Sequence, residues 1–154
     1  HIPAEDNSAD VVVMFKSLHH VPVAEMDTAM SEIARVLRPG GVAYISEPVY
    51  AGEFNEVLRL FHDEGEVRRQ AFEAVKRAVA GGTLELVEQR FFNTRNDFDD
   101  FADFENRVLG VTHTHHELSP ELYEQVRRTF EGYMGPDGAR FVMPIRVDLL
   151  RSPA

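Results

Sequence analysis

Two short apolar runs separated by one amphipathic segment constrain the fold of this chain most strongly. Residues 11–15 and residues 42–45 are rich in β-branched side chains, a pattern typical of strands that are buried on both faces of a sheet. Between them, four apolar residues recur at helical spacing: Met26, Met30, Ile33 and Leu37. Pro39-Gly40-Gly41 ends this helix. A strand, a helix and a strand joined by short connections predict a parallel crossover unit.

The residues that follow predict a helical segment and then a strand. Residues 53–80 have two apolar stripes with a break at Gly65, and residues 83–92 have a weaker strand pattern. Phenylalanines recur at helical spacing after this strand, so we expect a helix there, capped by Asp97 and lined by Phe98, Phe101 and Phe104.

The last part of the chain predicts one more helix and one more strand. Ser119-Pro120 combines a capping residue with a first-turn proline. Strict alternation of apolar residues over 141–149 predicts a strand, and Pro144 within it calls for an edge position or a bulge. The predicted fold class is therefore α/β.

Length and composition exclude several classes of protein. The 154 residues fit a single domain, and the net charge of −10 disfavours nucleic acid or a membrane surface as partners. The chain has no cysteine, which excludes disulfides, thiolate zinc sites and cysteine nucleophiles. No apolar run approaches the ~20 residues that span a bilayer, and no signal peptide is recognisable, so we expect a cytoplasmic protein.

Two motifs flank the predicted helix in a recognisable order. The first, "IPAEDNSADVVVMFKSLHHV", leads into the first strand. The second, "MSEIARVLRPGGVAYISEP", closes the helix and enters the next strand. Together they resemble class I S-adenosylmethionine-dependent methyltransferases of the small-molecule branch. The motif residues are Ile2-Pro3-Ala4, Asp6, Ser8, Asp10 and Val12, followed by Glu32, Arg35-Val36-Leu37-Arg38 and Pro39-Gly40-Gly41.

The resemblance implies a partial Rossmann-like methyltransferase fold. Its mixed sheet would contain strands four to seven of the family, with flanking helices. Residues 1–50 would form the motif-bearing β-α-β unit, residues 53–82 a helical insert or lid, and residues 83–154 the late strands with two helices. The glycine-rich cofactor loop of the family is absent from this sequence. We therefore expect the chain to be the carboxyl-terminal half of one domain.

The resemblance also assigns S-adenosyl-L-methionine as the cofactor and places a set of residues beside it. Phe15, Lys16 and Ser17 would border the methionine part of the cofactor, largely through their backbone. Ile2, Pro3 and Ala4 would lie beside the adenine. Leu18 would pack on the cofactor.

Polar residues after the two parallel strands are candidates for chemistry, because ligands of open α/β sheets bind at the carboxyl ends of the strands. His19 or His20 would face the methyl-transfer space, where an imidazole accepts a proton near neutral pH. The alternative is that one of them caps the next helix or bonds a carbonyl. Glu47 is a candidate substrate-facing carboxylate, and its alternative is a solvent-exposed loop residue.

The segment "HTHHE" contains three imidazoles and a carboxylate, which are good metal ligands. Its spacing matches no established metal site, so we expect a loop in which His113 and His116 face the substrate, and no metal.

Two functions of different classes remain open. The first is methyl transfer to a small-molecule acceptor, for which this chain by itself would be incompetent. The second is a non-catalytic, methyltransferase-like interaction protein. In that case the exposed strand edge of residues 11–15 would bind a second copy or a missing N-terminal half.

Overall fold

The computed structural model describes residues 1–110 and 118–153 and has an α/β fold with a mixed sheet and flanking helices, as predicted. The elements in chain order are β1 (Ala9–Phe15), α1 (Met26–Val36), β2 (Leu37–Pro48), α2 (Glu53–Leu58), α3 (Gly65–Ala80), β3 (Glu85–Phe98), α4 (Phe101–Phe104), α5 (Pro120–Glu131), β4 (Met134–Gly135) and β5 (Gly138–Arg151). Two single 3₁₀ turns, Leu18–His20 and Val23–Glu25, connect β1 to α1.

The sheet has the strand order β1-β2-β5-β3, and β4 pairs with β5. β1 runs parallel to β2, with Val13 opposite Tyr44, and β2 runs antiparallel to β5, with Ser46 opposite Val147. The parallel pair on either side of α1 is the crossover unit that the sequence predicted. The carboxyl ends of β1 and β2 consequently meet at one edge of the sheet.

β1 is not buried on both faces, as its apolar run alone predicted, but is the exposed edge strand that the family resemblance implied. It lies at the edge of the sheet, and Val11, Val13 and Phe15 are 55%, 48% and 68% exposed. The apolar run predicts the strand correctly, but sequence composition cannot tell which neighbours cover it.

Pro144 lies on β5, a strand with neighbours on both sides in the sheet order, but beyond the end of its pairing with β2. The last residue pair between β2 and β5 is Pro48 with Ile145, so no bond to β2 needs an N–H at position 144. Asp100 rather than Asp97 caps α4, because its carboxylate accepts from the Asp103 amide at 2.9 Å. Phe98 ends β3 and is not part of a helix.

The described residues group into two compact units. The first comprises His1–Val49, Gly65–Phe92 and Ile145–Ala154. Its core packs the apolar faces of α1 and α3 on β2 and β5, and Met30 and Ile33 are almost fully buried.

The second unit comprises Tyr50–Glu64 and Asn93–Pro144. Its core is a cluster of aromatic rings: Phe54, Phe98, Phe101, Phe104, Phe130 and Phe141. The helix that follows the Ser119-Pro120 motif begins as predicted, since the Ser119 hydroxyl accepts from the Leu122 amide at 3.2 Å. Within the described residues, no helix is both long enough and apolar enough to cross a membrane.

Candidate functional site

The turn after β1 begins with a residue in an unusual backbone conformation. Lys16 is an exposed non-glycine residue with φ of +48°, a left-handed conformation that L-residues adopt at a cost. Its amide donates to the carbonyl of Ser46 at 2.7 Å, so the backbone stays attached to β2 while the chain reverses direction. The surrounding contacts hold this strained turn at the ligand-binding edge of the sheet.

Glu47 supplies most of those contacts. It is the penultimate residue of β2 and only 2% exposed. Its Oε1 accepts from the amides of Ser17 and Leu18 at 3.1 and 2.8 Å, and its Oε2 contacts Nδ1 of His19. One buried carboxylate thus holds three groups of the turn, and the expectation that Glu47 is a solvent-exposed loop residue is excluded.

The contact with Glu47 indicates which nitrogen of the His19 ring carries a hydrogen. A carboxylate can only accept, so Nδ1 of His19 carries the hydrogen. The His19 side chain is 3% exposed, whereas His20 is exposed and its ring centroid lies 4.1 Å from that of His19. Of the two histidines, His20 is the one within reach of a dissolved molecule.

The other residues predicted to contact the cofactor at this edge differ in accessibility. The Phe15 ring is exposed and makes an edge contact with Tyr44, with centroids 5.6 Å apart. Ser17 is half-buried. Leu18 is fully buried in the core of the first unit, so only its backbone borders the edge. Their contacts with a cofactor stay predictions.

A charge network holds the N-terminal segment that contains Ile2, Pro3 and Ala4. Glu32 accepts from the Ile2 amide at 3.0 Å and pairs with Arg35 at 2.8 Å. Arg35 in turn donates to the carbonyls of Ile2 and Ala4 at 3.0 and 2.9 Å. Glu32 and Arg35 stand in the sequence only as motif residues, although their i, i+3 spacing on a helix is a signal for such a pair.

The pair between Glu32 and Arg35 shifts the pKa of each residue in the direction that favours its charged form. Hydrogen bonds from Arg35 and the Ile2 amide lower the pKa of Glu32 to about 2. The hydrogen bonds of Arg35 to Glu32 and Asp6 raise its pKa. Glu32 is therefore ionised throughout the physiological range and keeps the segment attached to α1.

The predicted substrate residues His113 and His116 lie outside the described residues. The described residues of the first unit supply a strained backbone turn, an exposed aromatic ring and an anchored N-terminal segment.

Comparisons with known proteins show a similarity to methyltransferases over the first part of the chain. Residues 1–45 match the "Methyltransferase domain" family. The methyltransferase GfsG of Streptomyces halstedii is 40% identical over 57 residues, which are 37% of this chain and 20% of GfsG. The sterol 24-C-methyltransferase erg6 of Schizosaccharomyces pombe is 28% identical over 110 residues, which are 71% of this chain and 28% of that protein. The chain matches well under half the length of either relative.

Solved structures extend the likeness of fold to the whole chain. The YcgJ protein of Bacillus subtilis has a TM-score of 0.60 at 15% identity, over 100% of this chain and 68% of its own. A SAM-dependent methyltransferase of Methanosarcina mazei has a TM-score of 0.51 at 13% identity and matches 99% of this chain and 63% of its own. The [4+2]-cyclase SpnF has a TM-score of 0.51 at 19% identity, over 100% of this chain and 53% of its own. At these identities the likeness shows the fold alone.

The two kinds of match agree with the motifs and with the observed sheet. S-adenosylmethionine is the cofactor that this family resemblance supports. Residues 1–45 are similar to the methyltransferase domain family, and the chain has the mixed α/β fold of the solved structures, as its two motifs predicted.

Proposed function

We propose that the protein transfers the methyl group of S-adenosylmethionine to a small-molecule acceptor. The observation that carries this proposal is the buried carboxylate of Glu47, which fixes the turn after β1 through three groups. That turn lies at the carboxyl ends of the parallel strands, where open α/β sheets bind ligands. The names of the relatives support a small-molecule acceptor, since one of them acts on a sterol.

Under this proposal, the residues around the turn after β1 and in the N-terminal segment have distinct tasks. Lys16 and Ser17 would hold the methionine part of the cofactor with their backbone, and Ile2 to Ala4 would lie beside its adenine. When bound, the cofactor supplies an electrophilic methyl group on a positively charged sulfur. Alignment of the acceptor with that methyl group and exclusion of water are what the protein contributes.

His20 is the residue that we assign to proton transfer. A neutral acceptor that is methylated at oxygen or nitrogen must lose a proton, and an exposed imidazole takes up protons near neutral pH. His19 and Glu47 are positioning residues, because both are buried and act through the turn. His113 and His116 remain candidates for contact with the acceptor.

Cofactor binding tests the proposal directly. We would titrate S-adenosylmethionine into the protein expressed from its complete gene and into the 154-residue chain, with calorimetric detection. We expect binding by the first protein and weaker binding by the second. Glu47→Ala should weaken binding in the complete protein, whereas the exposed-site control Glu88→Gln should not. Absence of binding by the complete protein would refute methyl transfer.

The role of His20 needs a separate experiment. Formation of S-adenosylhomocysteine over a panel of sterols, phenols and amines would identify an acceptor. With that acceptor, His20→Gln should lower kcat by about 10²–10⁴-fold and leave cofactor binding unchanged. An unchanged kcat and pH profile would exclude His20 as the proton acceptor but would leave methyl transfer intact.

A non-catalytic interaction protein is the second candidate function. The observation that favours it is the exposed apolar edge of β1, with Val11, Val13 and Phe15 all about half exposed or more. Under this alternative, β1 adds a strand of another chain. A complete protein that binds no cofactor but forms a stable complex through β1 would favour this function over methyl transfer.

A further inference from the structure

β3 forms the edge of the sheet opposite to β1, because the strand order is β1-β2-β5-β3. The part of β3 that belongs to the first unit is Glu85 to Phe92, and all of these residues are exposed. Among the described residues, no strand pairs with its outer side. An edge strand of this length can accept a further strand unless its side chains oppose the pairing.

Four large apolar side chains lie on this part of β3. The exposed fractions of Leu86, Val87, Phe91 and Phe92 are 46%, 48%, 62% and 45%. Because neighbouring residues of a strand point to opposite faces, each of the two pairs exposes apolar surface on both faces of the sheet. Clustered apolar surface of this kind is typical of an interface with another molecule. The methyl-transfer proposal assigns no role to it.

The residues between the two apolar pairs carry opposite charges. Nε of Arg90 donates to Glu88 at 2.6 Å, and the two side chains share one face because they are two positions apart on a strand. Gln89 lies between them, and its amide donates to the fully buried Asp148 at 2.6 Å. The centre of the segment is therefore ordered and attached to β5.

The charges of this segment are complementary to those of a second copy that runs antiparallel to it. When the pair of strands is centred on Gln89, Glu88 of each copy lies opposite Arg90 of the other. A slide of two residues in either direction, which keeps each side chain on its face, places Glu88 opposite Glu88 or Arg90 opposite Arg90. Like charges directly opposite each other are destabilising, so the charges favour the register centred on Gln89 over its two nearest alternatives.

The same register also matches the apolar residues. Leu86 of each copy lies opposite Phe92 of the other, and Val87 lies opposite Phe91. An aliphatic and an aromatic side chain directly opposite each other form a stabilising cross-strand pair. A slide of one residue in either direction instead places a charged side chain opposite one of these apolar residues.

We propose that β3 pairs antiparallel with β3 of a second copy of this chain, in the register centred on Gln89. The partner is a second copy because the segment itself supplies both members of every charged and apolar pair. Pairing of one short strand is weak, and we expect a dissociation constant of about 10–100 μM. The interface does not depend on methyl transfer.

Sedimentation velocity of the Val13→Lys variant tests this pairing, because the lysine opposes association through β1. We expect this variant to form dimers as its concentration rises through the dissociation constant. In the same background, Val87→Lys should weaken dimerisation by at least about tenfold, since it places a charge opposite Phe91. The control Val23→Lys changes a valine of nearly equal exposure outside the sheet, 45% against 48%, and should leave dimerisation unchanged.

A charge swap in that background separates pairing between copies from an effect on the fold. Glu88→Arg alone and Arg90→Glu alone place like charges opposite each other, and each should weaken dimerisation by about tenfold. The double variant Glu88→Arg/Arg90→Glu restores opposite charges and should recover it.

The outcomes decide between the interface, its partner and its register. A Val13→Lys variant that stays monomeric at all concentrations would overturn the second copy as the partner of β3. Dimers that persist in Val87→Lys would overturn β3 as the interface. Single charge variants that dimerise normally, or a double variant that does not recover, would overturn the register centred on Gln89.

Discussion

At the scale of single residues, the candidate site depends on a carboxylate that the fold has almost removed from water. Burial of a charge is unfavourable unless hydrogen bonds compensate for it, and Glu47 has two amides and an imidazole for that purpose. The same three bonds hold the strained turn at Lys16. Glu47 therefore links the stability of the first unit to the shape of its ligand-binding edge.

Replacement of this carboxylate should destabilise the protein. In Glu47→Gln, an NH₂ group that can only donate replaces one carboxylate oxygen and faces the N–H donors of the turn. We therefore expect a loss of about 1–3 kcal/mol in the free energy of unfolding. Urea titration followed by far-UV circular dichroism measures it, since the chain has no tryptophan. Glu88→Gln, at an exposed position, is the control and should change stability by less than about 0.5 kcal/mol. Equal stability of the two variants would contradict the anchoring role.

At the scale of elements, α1 connects the two motifs physically. Its Glu32 and Arg35 hold the N-terminal segment, and the backbone carbonyls of Arg35 and Val36 accept from the amides of Asn7 and Ser8, both at 2.9 Å. The residues after α1 then pass close to the start of β1. The second motif thus has structural tasks that do not involve the cofactor.

The pair between Glu32 and Arg35 makes stability depend on pH. The pKa of Glu32 is about 2 in the folded protein and 4.5 as its ordinary value, so its contribution is present above pH 4.5 and is lost as the pH falls towards 2. Between pH 5 and pH 3, the urea midpoint of the wild type should fall more steeply than that of Glu32→Gln. Glu5→Gln, in the same N-terminal segment, should follow the wild type. Parallel curves for wild type and Glu32→Gln would refute this contribution.

Gly41 allows the first part of β2 to pack closely against β1. A Cβ atom at this position would lie 2.9 Å from the Arg38 carbonyl oxygen and 3.2 Å from those of Ala9 and Asp10. All three are backbone atoms that cannot move aside easily, so Gly41→Ala should cost about 1–3 kcal/mol of stability. Thermal unfolding of Gly135→Ala provides the control, since the nearest atom there is at 3.6 Å. A Gly41→Ala variant as stable as this control would contradict the close packing.

At the scale of the whole molecule, the edge strand β1 has the most consequences. Its backbone pairs with β2 on one side only, and Val11, Val13 and Phe15 expose apolar surface. Such an edge is a template for pairing with another chain unless a charge or a covering element blocks it. We therefore expect the isolated chain to self-associate, which stays a prediction.

Val13→Lys tests this expectation, because a lysine on an edge strand opposes pairing. Sedimentation velocity over a range of concentrations should show association of the wild type and a larger monomer fraction for the variant. Val142→Lys is a matched control, since Val142 is 47% exposed and Val13 is 48% exposed, but Val142 belongs to the interior strand β5. A wild type that is monomeric at all concentrations would contradict the prediction.

The sequence alone determined the elements whose cause is local. Two β-branched runs, the period of α1, and the caps and glycines at helix ends predicted the crossover unit, the family and the edge of the sheet that would bind ligands. The same local signals predicted the helix at Ser119-Pro120, because its first turn is stabilised by residues within a few positions. The resemblance of its motifs to a methyltransferase family then supported S-adenosylmethionine as the cofactor.

Only the tertiary structure decided which residues meet. Glu47 contacts His19 from 28 positions away, and Arg146 stacks on Phe72 from 74 positions away, so no period or short motif could reveal either pair. It also decided that β3 continues to Phe98, because pairing with β5 overrides a helical spacing of phenylalanines. Burial of a polar side chain depends on what packs over it, and that is set by the folded chain as a whole.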